Sequence, residues 1–301
     1  MVLFPNCKIN LGLRVLRKRT DGYHDLDTVF YPLALHDALE ILPASDIDTD
    51  TKKIPTASPS FSHQAPIEEP ENNILLQDDC YFSLSGLPIP GEAGDNLCLK
   101  AWSLIKKDFP SLPPVRMHLH KAIAIGGGLG GGSADATFVL MLLNRQFKLG
   151  LSTDALKAYA LQLGSDCPFF ILNRPCLATG RGEQLREIAL DLSAYSIVLV
   201  DPGIHISTAW AFSRLRPTEM KESLQAIISR PIDRWKETLT NDFEQPVFEA
   251  HPQLAAIKTE LYRQGAIYAG MTGTGSAIAG IFPAKPLSLP PLLSNYRLIF
   301  L

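Results

Sequence analysis

Apolar and polar residues alternate at the start of the chain. In CKINLGLRVL, Cys7, Ile9, Leu11, Leu13 and Val15 fall on one side of an extended backbone, and Lys8, Asn10, Gly12 and Arg14 on the other. A period of two predicts a half-buried strand with one polar face, so Lys8 and Asn10 project side by side. Asp21-Gly22 in TDGYHDL marks a turn, and TVFYPLAL reads as the next strand. CYFSLSG is a further short strand. PVRMHLHKAIAI alternates again, with Val115, Met117 and Leu119 opposite Arg116, His118 and His120. Between these two lies DNLCLKAWSLIKKDF, an amphipathic helix with Asp95 near its start. The run from Ala134 to Leu143 is almost wholly apolar and predicts a helix buried on all sides. LSTDALKAYALQLG is a second helix, capped by Ser152 or Thr153 and closed near Gly164. SDCPFFIL is expected to turn and enter a strand.

The second half opens with ATGRGEQLREI and the strand YSIVLVDPG. STAWAFSRL and KESLQAIIS are helical, and NDFEQPVFEAHPQLAAIKTELYRQG should hold a helix ending at Gly265. AIYAGMTGTGSAIAGIF reads as two strands joined by a glycine-rich turn. Residues 44–75 break the pattern: they are rich in Pro, Ser, Thr and acidic residues, and predict a solvated loop or hairpin extension. There is no internal repeat.

Length and composition narrow the class. A chain of 301 residues exceeds what one core usually absorbs, so two domains are expected. Lys and Arg total 28 against 31 Asp and Glu, a net charge of −3, so no global positive field recruits nucleic acid or an anionic membrane. A local patch of Arg14, Arg17, Lys18 and Arg19 is equally readable as a solvated strand end or a binding surface. The five cysteines, Cys7, Cys80, Cys98, Cys167 and Cys176, are scattered and form no CxxC. Reduced thiols in a cytoplasmic protein fit best. MVLFPNCKINL lacks the pattern of a signal peptide, and no apolar run reaches the roughly 18 residues of a membrane span. His118 and His120 share a strand face, but no third ligand stands at a zinc spacing.

The densest chemistry lies in IAIGGGLGGGSADATFVLML, where six of the seven residues from Gly126 to Gly132 are glycine. A flexible linker is a poor fit, because both flanks are apolar and must pack. Gly126, Gly128 and Gly131 satisfy GxGxxG, but a dinucleotide fold needs a strand after the helix, and here a second helix follows. A phosphate cradle remains: bare backbone lets N–H groups converge on an anion, and the helix N-terminus adds its unpaired donors and dipole. Ser133 is placed to cap the helix, to touch phosphate or to reach Mg²⁺. Asp135 would repel phosphate if it faced the loop, so it should face away or towards a metal.

PNCKINLGL, IGGGLGGGSADA and AGMTGTGSAIAGIF stand in the order and spacing of the GHMP kinases, and the chain resembles that family. RTDGYHDLDTVFYPL and LGSDCPFFI extend the likeness towards members whose alcohol substrate carries a cytidine diphosphate group. The resemblance covers most of the chain outside residues 44–75. It implies an α+β, two-domain GHMP kinase fold. Residues 1–178 would form a ribosomal-protein-S5-domain-2-like α/β domain with the nucleotide loop, and residues 179–301 a ferredoxin-like domain, with the active site between them. ATP would be the co-substrate, with Mg²⁺, and the protein would be a monomer or homodimer.

The resemblance also implies residue roles. Asp166 would accept the proton of the attacking hydroxyl, and Lys8 would neutralise the forming charge. Asn10 would bond the substrate. Tyr23 would stack on the cytosine and His24 would hydrogen-bond it, with Phe30 as a wall. Thr208 and Phe212 would close over the substrate, Phe212 stacking opposite Tyr23. Gly126, Gly127, Gly128, Leu129, Gly130, Gly131, Gly132 and Ser133 would hold the ATP phosphates, aided by Gly273, Thr274 and Gly275. Asn96 would lie near the adenine, and Ser133 stays the candidate for a metal contact. The sequence departs from the family pattern at Cys7, where a small residue is commoner, and at Ser133-Ala134-Asp135-Ala136, where the family favours SSNAA. The 44–75 extension is also longer than usual. A GHMP kinase for mevalonate or homoserine, or a non-catalytic binding module, are the alternatives; the Tyr23-His24 pair argues for the nucleotide-linked substrate.

Overall fold

The computed structural model describes residues 1–44, 74–91, 93–215, 222–286 and 291–301. Most of the expected extension, 45–73, lies outside the described residues. Among those described, thirteen strands, numbered in chain order, form three sheets. The first sheet has the order β1 (Val2–Leu3), β4 (Ala38–Pro43), β7 (Val115–Lys121), β6 (Cys80–Gly86), β5 (Leu75–Gln77). Its β6 and β7 run parallel, joined through helix α1 (Leu97–Asp108), as parallel neighbours require a crossover. The second sheet is antiparallel: β2 (Asn6–Lys18), β3 (His24–His36), β8 (Cys176–Gly180), β9 (Gln184–Glu187). The third, also antiparallel, runs β11 (Tyr268–Met271), β12 (Ile278–Phe282), β10 (Ser196–Asp201), β13 (Arg297–Phe300).

Three apolar cores hold these layers. Leu39, Ile41, Phe82, Met117 and Leu119 of the first sheet bury against Trp102 and Ile105 of α1 and against Val139, Leu140 and Leu143 of α2 (Gly131–Gln146). α3 (Thr153–Leu163) and α4 (Cys167–Leu172) complete that layer. The second core lies between the β2–β3 ribbon and the third sheet, where Ile9, Leu11 and Val29 meet Leu199 and Ile281. The far face of the third sheet packs on Leu254, Ile257 and Leu261 of α8 (Pro252–Arg263). α5 (Thr208–Arg214), α6 (Leu224–Ile228) and α7 (Glu244–Ala250) border the ribbon, and α9 (Pro291–Ser294) precedes β13.

The helix over 131–146 is buried all round, as its composition predicts. Ser152 caps α3 by accepting the Ala155 N–H. The glycine-rich hairpin of β11 and β12 pairs Met271 with Ile278. Three expectations need correction. SDCPFFIL forms the short helix α4, not a strand, because Pro168 suits a first turn and Asn173 ends it in a left-handed conformation. The helix expected to end at Gly265 is two helices, α7 and α8, broken at His251, since a residue before proline is driven out of helical geometry. The third concerns the ribbon itself.

Cys7, Ile9 and Leu11 point into the second core, but Leu13 and Val15 do not continue that face. Gly12 has φ +68°, and the ladder steps from Leu11↔Val29 to Leu13↔Thr28, so two residues oppose one. This bulge moves Leu13 and Val15 to the side of Lys8 and Asn10. Nor is that side solvated: Lys8 is 3% and Asn10 5% exposed. The strand is covered on both faces by parts of the chain distant in sequence. The expected domain parting, between 178 and 179, falls inside β8, whose Ala178 and Thr179 pair with β3.

A Cβ at Gly12 would stand 2.7 Å from the Leu239 Cδ1 and 3.0 Å from the Leu224 Cδ2, in a backbone conformation strained for any side chain. Gly12→Ala should cost about 1–3 kcal/mol in urea unfolding. Unchanged stability would show that the bulge is not held as described.

Candidate active site

The glycine loop owes its shape to backbone freedom. Gly126, Gly128 and Gly130 have φ of +80°, +76° and +72°, alternating with residues of negative φ. Such alternation turns successive N–H groups to one side, a concavity suited to anions. Gly130 is the N-cap of α2, so the N–H groups of Gly131, Gly132 and Ser133 precede the first intrahelical acceptor pair, Ala134 N–H to Gly130 O. Ser133 is therefore the third helical residue and not the cap. Its hydroxyl lies beside the Cys167 thiol, which burial pushes up to about 11, so that thiol is no nucleophile. Leu129 turns its side chain into the second core and offers only backbone to the loop.

The turn after β11 presses on this loop from behind. A Cβ on Gly128 would collide with the Thr272 carbonyl, and one on Gly273 would come within 3.0 Å of the Gly128 Cα. The Thr272 hydroxyl donates to Gly128 O at 3.0 Å, and the Ala277 N–H to Gly127 O at 3.1 Å. Asn241 fixes the turn by donating to Met271 O and Gly273 O, each at 2.8 Å. Gly275 packs against Met271 instead of lining the cleft.

Lys8 sits where these pieces meet. Its ammonium donates to Asn10 Oδ1 at 2.7 Å and Gly128 O at 3.3 Å, lies 3.2 Å from Asp166 Oδ2, and rests 4.8 Å from the Phe30 ring centre. The Asn10 amide donates to Thr28 Oγ1, and the Asn10 backbone N–H to Thr272 Oγ1, both at 2.9 Å. Asp166, just ahead of α4, is about one-third exposed, with 36% of its side chain open to solvent, so the pair has a buried cation and a reachable carboxylate.

Both groups open on a cleft of 1320 Å³ whose lining includes Gly126, Gly128, Gly130, Ser133, Gly273 and Thr274 at one end and Tyr23, His24, Thr208 and Phe212 at the other. Phe212 stacks on His24, with centroids 4.6 Å apart and planes 24° off parallel. The expected partner of Phe212, Tyr23, is 53% exposed and instead carries the Arg181 guanidinium 4.6 Å above its ring. Burial, then the Lys18 charge, lowers the His24 pKa and favours its neutral form. Asn96 is not part of the cleft lining: its side chain accepts the Cys98 N–H and caps α1. The basic patch of the ribbon is largely tied up, Arg17 to Asp25 and Arg19 to Asp21 and Asp25, while Arg14 donates to the Glu222 carbonyl. His118 and His120 bond Ser83 and Ser85, and the described residues hold no cluster of three or more metal-binding side chains.

Beneath the loop lies a charge cluster that the sequence reading passed over. Lys121 contacts Asp37 and, at 2.7 Å, Asp135, all three buried. Asp37 also accepts the Ala122 and Ile123 N–H groups. One ammonium cannot neutralise two carboxylates. Burial pushes the Asp135 carboxyl up to about 7 against the pull of Lys121, and its Oδ1 has no hydrogen-bond partner. Burial pulls Lys121 down, but the Asp135 and Asp37 charges outweigh it and raise its pKa. A signal existed: Lys121 is in phase with the inward residues Val115, Met117 and Leu119. Asp135 faces this cluster, away from the loop.

Asp37→Asn should therefore cost about 3 kcal/mol or more in thermal unfolding at neutral pH, and Asp135→Asn less than about 1 kcal/mol. The pKa of Asp135 rises from 3.8 unfolded to about 7 folded, so folding takes up a proton between those values. Stability of the unmodified chain should accordingly fall, relative to Asp135→Asn, as pH rises through that window, and level off above it. The reverse order of the two variants would contradict this account.

Comparison with known proteins gives a concordant result. The model of the GHMP kinases N terminal domain matches residues 96–174, and that of the GHMP kinases C terminal matches 223–288. A 4-diphosphocytidyl-2-C-methyl-D-erythritol kinase of Bacteroides thetaiotaomicron is 46% identical over 283 residues, 94% of this chain and 92% of the relative. One of Cytophaga hutchinsonii is 41% identical over 99% of this chain and 98% of its own. A crystal structure of a 4-(cytidine 5'-diphospho)-2C-methyl-D-erythritol kinase superposes with a TM-score of 0.74 at 28% identity, covering 100% of this chain and 98% of the other. The mevalonate kinase of Methanococcus jannaschii shares the fold, at TM-score 0.65 and 12% identity, over 100% and 97% of the two chains. With nearly its whole length aligned to such relatives, this chain belongs to the GHMP kinases, within the 4-diphosphocytidyl-2-C-methyl-D-erythritol kinase family.

Proposed function

We infer that the chain transfers the γ-phosphoryl group of ATP to the 2-hydroxyl of 4-diphosphocytidyl-2-C-methyl-D-erythritol, a step of the methylerythritol phosphate route to isoprenoid precursors. The observation that carries this reading is the Lys8–Asp166 pair, 3.2 Å apart, set directly against the glycine loop in a cleft whose other end is aromatic. The ATP phosphates lie on the N–H groups of residues 126–133, with the Gly273-Thr274 turn alongside. Convergent N–H bonds to a charged acceptor are worth about 1.5–3 kcal/mol each. Residues 1–178 contribute this loop and the catalytic pair, and residues 179–301 the turn and the α5 helix, with the β8–β9 hairpin at the parting.

Asp166 takes the proton of the substrate hydroxyl, whose oxygen attacks the γ-phosphorus as the bond to the β-phosphate oxygen breaks and ADP leaves. Lys8 neutralises the charge on the attacking oxygen and on the transferring group. Positioning and charge neutralisation are the main demands of phosphoryl transfer, and no covalent enzyme intermediate is needed. Asn10 orients both Lys8 and the alcohol. Tyr23, His24 and Phe212 hold the cytosine, with Thr208 at the helix start, while Phe30 walls the cleft beneath Lys8.

Mg²⁺ commonly keeps several waters and rests on one or two protein ligands plus substrate phosphates. The donor set fits that habit: Ser133 lines the cleft, whereas Asp135 is bound to Lys121 and turned away. Ser133 is thus the group that would hold the ion, which when bound offsets phosphate charge.

ADP release should be rapid with the cytidine-linked alcohol and at least about 10²-fold slower, as kcat/KM, with mevalonate or homoserine, because neither fills the aromatic end. Turnover confined to mevalonate or homoserine would overturn the substrate reading, and ATP binding with no turnover of any alcohol would favour a binding module.

A further inference from the structure

The β8–β9 turn carries a cation that the mechanism above does not use. Arg181 lines the same cleft as Lys8 and Asp166, and its guanidinium lies 4.6 Å over the Tyr23 ring. The turn is fixed by Gly180 at φ +68° and Gly182 at φ +107°. Gly182 is buried against Asp166 and Phe30: a Cβ there would stand 3.5 Å from Asp166 Oδ1 and 3.7 Å from the Phe30 ring. Arg181 is therefore held between the aromatic end of the cleft and the Asp166 carboxylate.

Its charge is not spent on a neighbour. Among the described residues no carboxylate lies within 4.0 Å of the guanidinium. The adjacent acid, Glu183, accepts the Arg181 backbone N–H at 2.6 Å instead. Asp21, which feels Arg181 at longer range, is engaged by Arg19. A guanidinium held over a ring by cation–π attraction spends none of its five N–H donors on that contact, and its planar fork matches phosphate oxygens.

On the substrate reading above, we propose that Arg181 binds the diphosphate of the cytidine-linked alcohol. A molecule with its base at Tyr23 and His24 and its hydroxyl at Asp166 must carry the diphosphate past this turn. Arg181 is then a substrate-positioning residue that measures the distance from base to alcohol, and it discriminates a nucleoside diphosphate from a bare nucleoside.

The test compares CDP and cytidine as inhibitors competitive with the cytidine-linked substrate, in the unmodified chain, Arg181→Met and Arg181→Lys. The unmodified chain should bind CDP at least about tenfold tighter than cytidine. Arg181→Met should lose most of that preference while cytidine affinity and the KM for ATP stay within about twofold, and Arg181→Lys should restore part of it. The KM for the substrate should rise several-fold with kcat little changed. A CDP preference retained in Arg181→Met, with the unmodified chain still turning over its substrate, would overturn the assignment alone. A rise in the KM for ATP only would give the guanidinium to the other nucleotide and equally overturn it. Absence of any CDP preference in the unmodified chain would overturn it together with the substrate reading.

Discussion

A buried ammonium group organises this molecule. An unpaired charge in such a place would cost several kcal/mol, so the chain must bring oxygen atoms to Lys8 from wherever they lie in sequence. It brings Asn10 from the same strand, Gly128 from the glycine loop and Asp166 from the start of α4. Satisfying one cation thus fixes three remote segments relative to one another. The same contacts leave one carboxylate oxygen set facing the cleft, where a hydroxyl can reach it.

The glycine loop is shaped by a related constraint. Its own residues cannot define a single conformation, because glycine is permissive. Definition comes from outside: the Thr272–Gly273 turn behind, Lys8 beside it, and the Asp37–Lys121–Asp135 cluster below. The last of these anchors the loop's entry at Ala122 and Ile123 and, through Asp135, the start of the second turn of α2. The proposed phosphate cradle is therefore preorganised by packing between the two halves of the chain, which is what electrostatic catalysis of phosphoryl transfer demands.

Local periodicity made much of this legible. The ribbon strand, the buried helix after the glycines and the hairpin at 268–282 follow from spacing alone, and the glycine run pointed to an anion before any likeness was considered. Properties set by distant neighbours were harder to read. Nothing local tells that the Lys8 face is covered, since its cover comes from residue 128, residue 166 and residue 272. Gly12 concealed a bulge that reverses the side of Leu13 and Val15, because a strand pattern read as strict alternation leaves no room for an extra residue. Asn96 shows the same dependence on context: its side chain accepts the Cys98 N–H and caps α1, a role that its motif alone did not reveal. Phe212 lines the cleft and stacks on His24, not opposite Tyr23, whose ring instead carries Arg181 from the β8–β9 turn.

The central claim is that Asp166, poised by Lys8, takes the proton of the acceptor alcohol. Rapid-quench measurement of a single turnover by Asp166→Asn, with both substrates saturating, addresses it most directly. The account predicts a phosphoryl-transfer rate lower by about 10²–10⁴-fold, with ATP affinity within a few-fold of the unmodified chain. A single-turnover rate equal to that of the unmodified chain would contradict it.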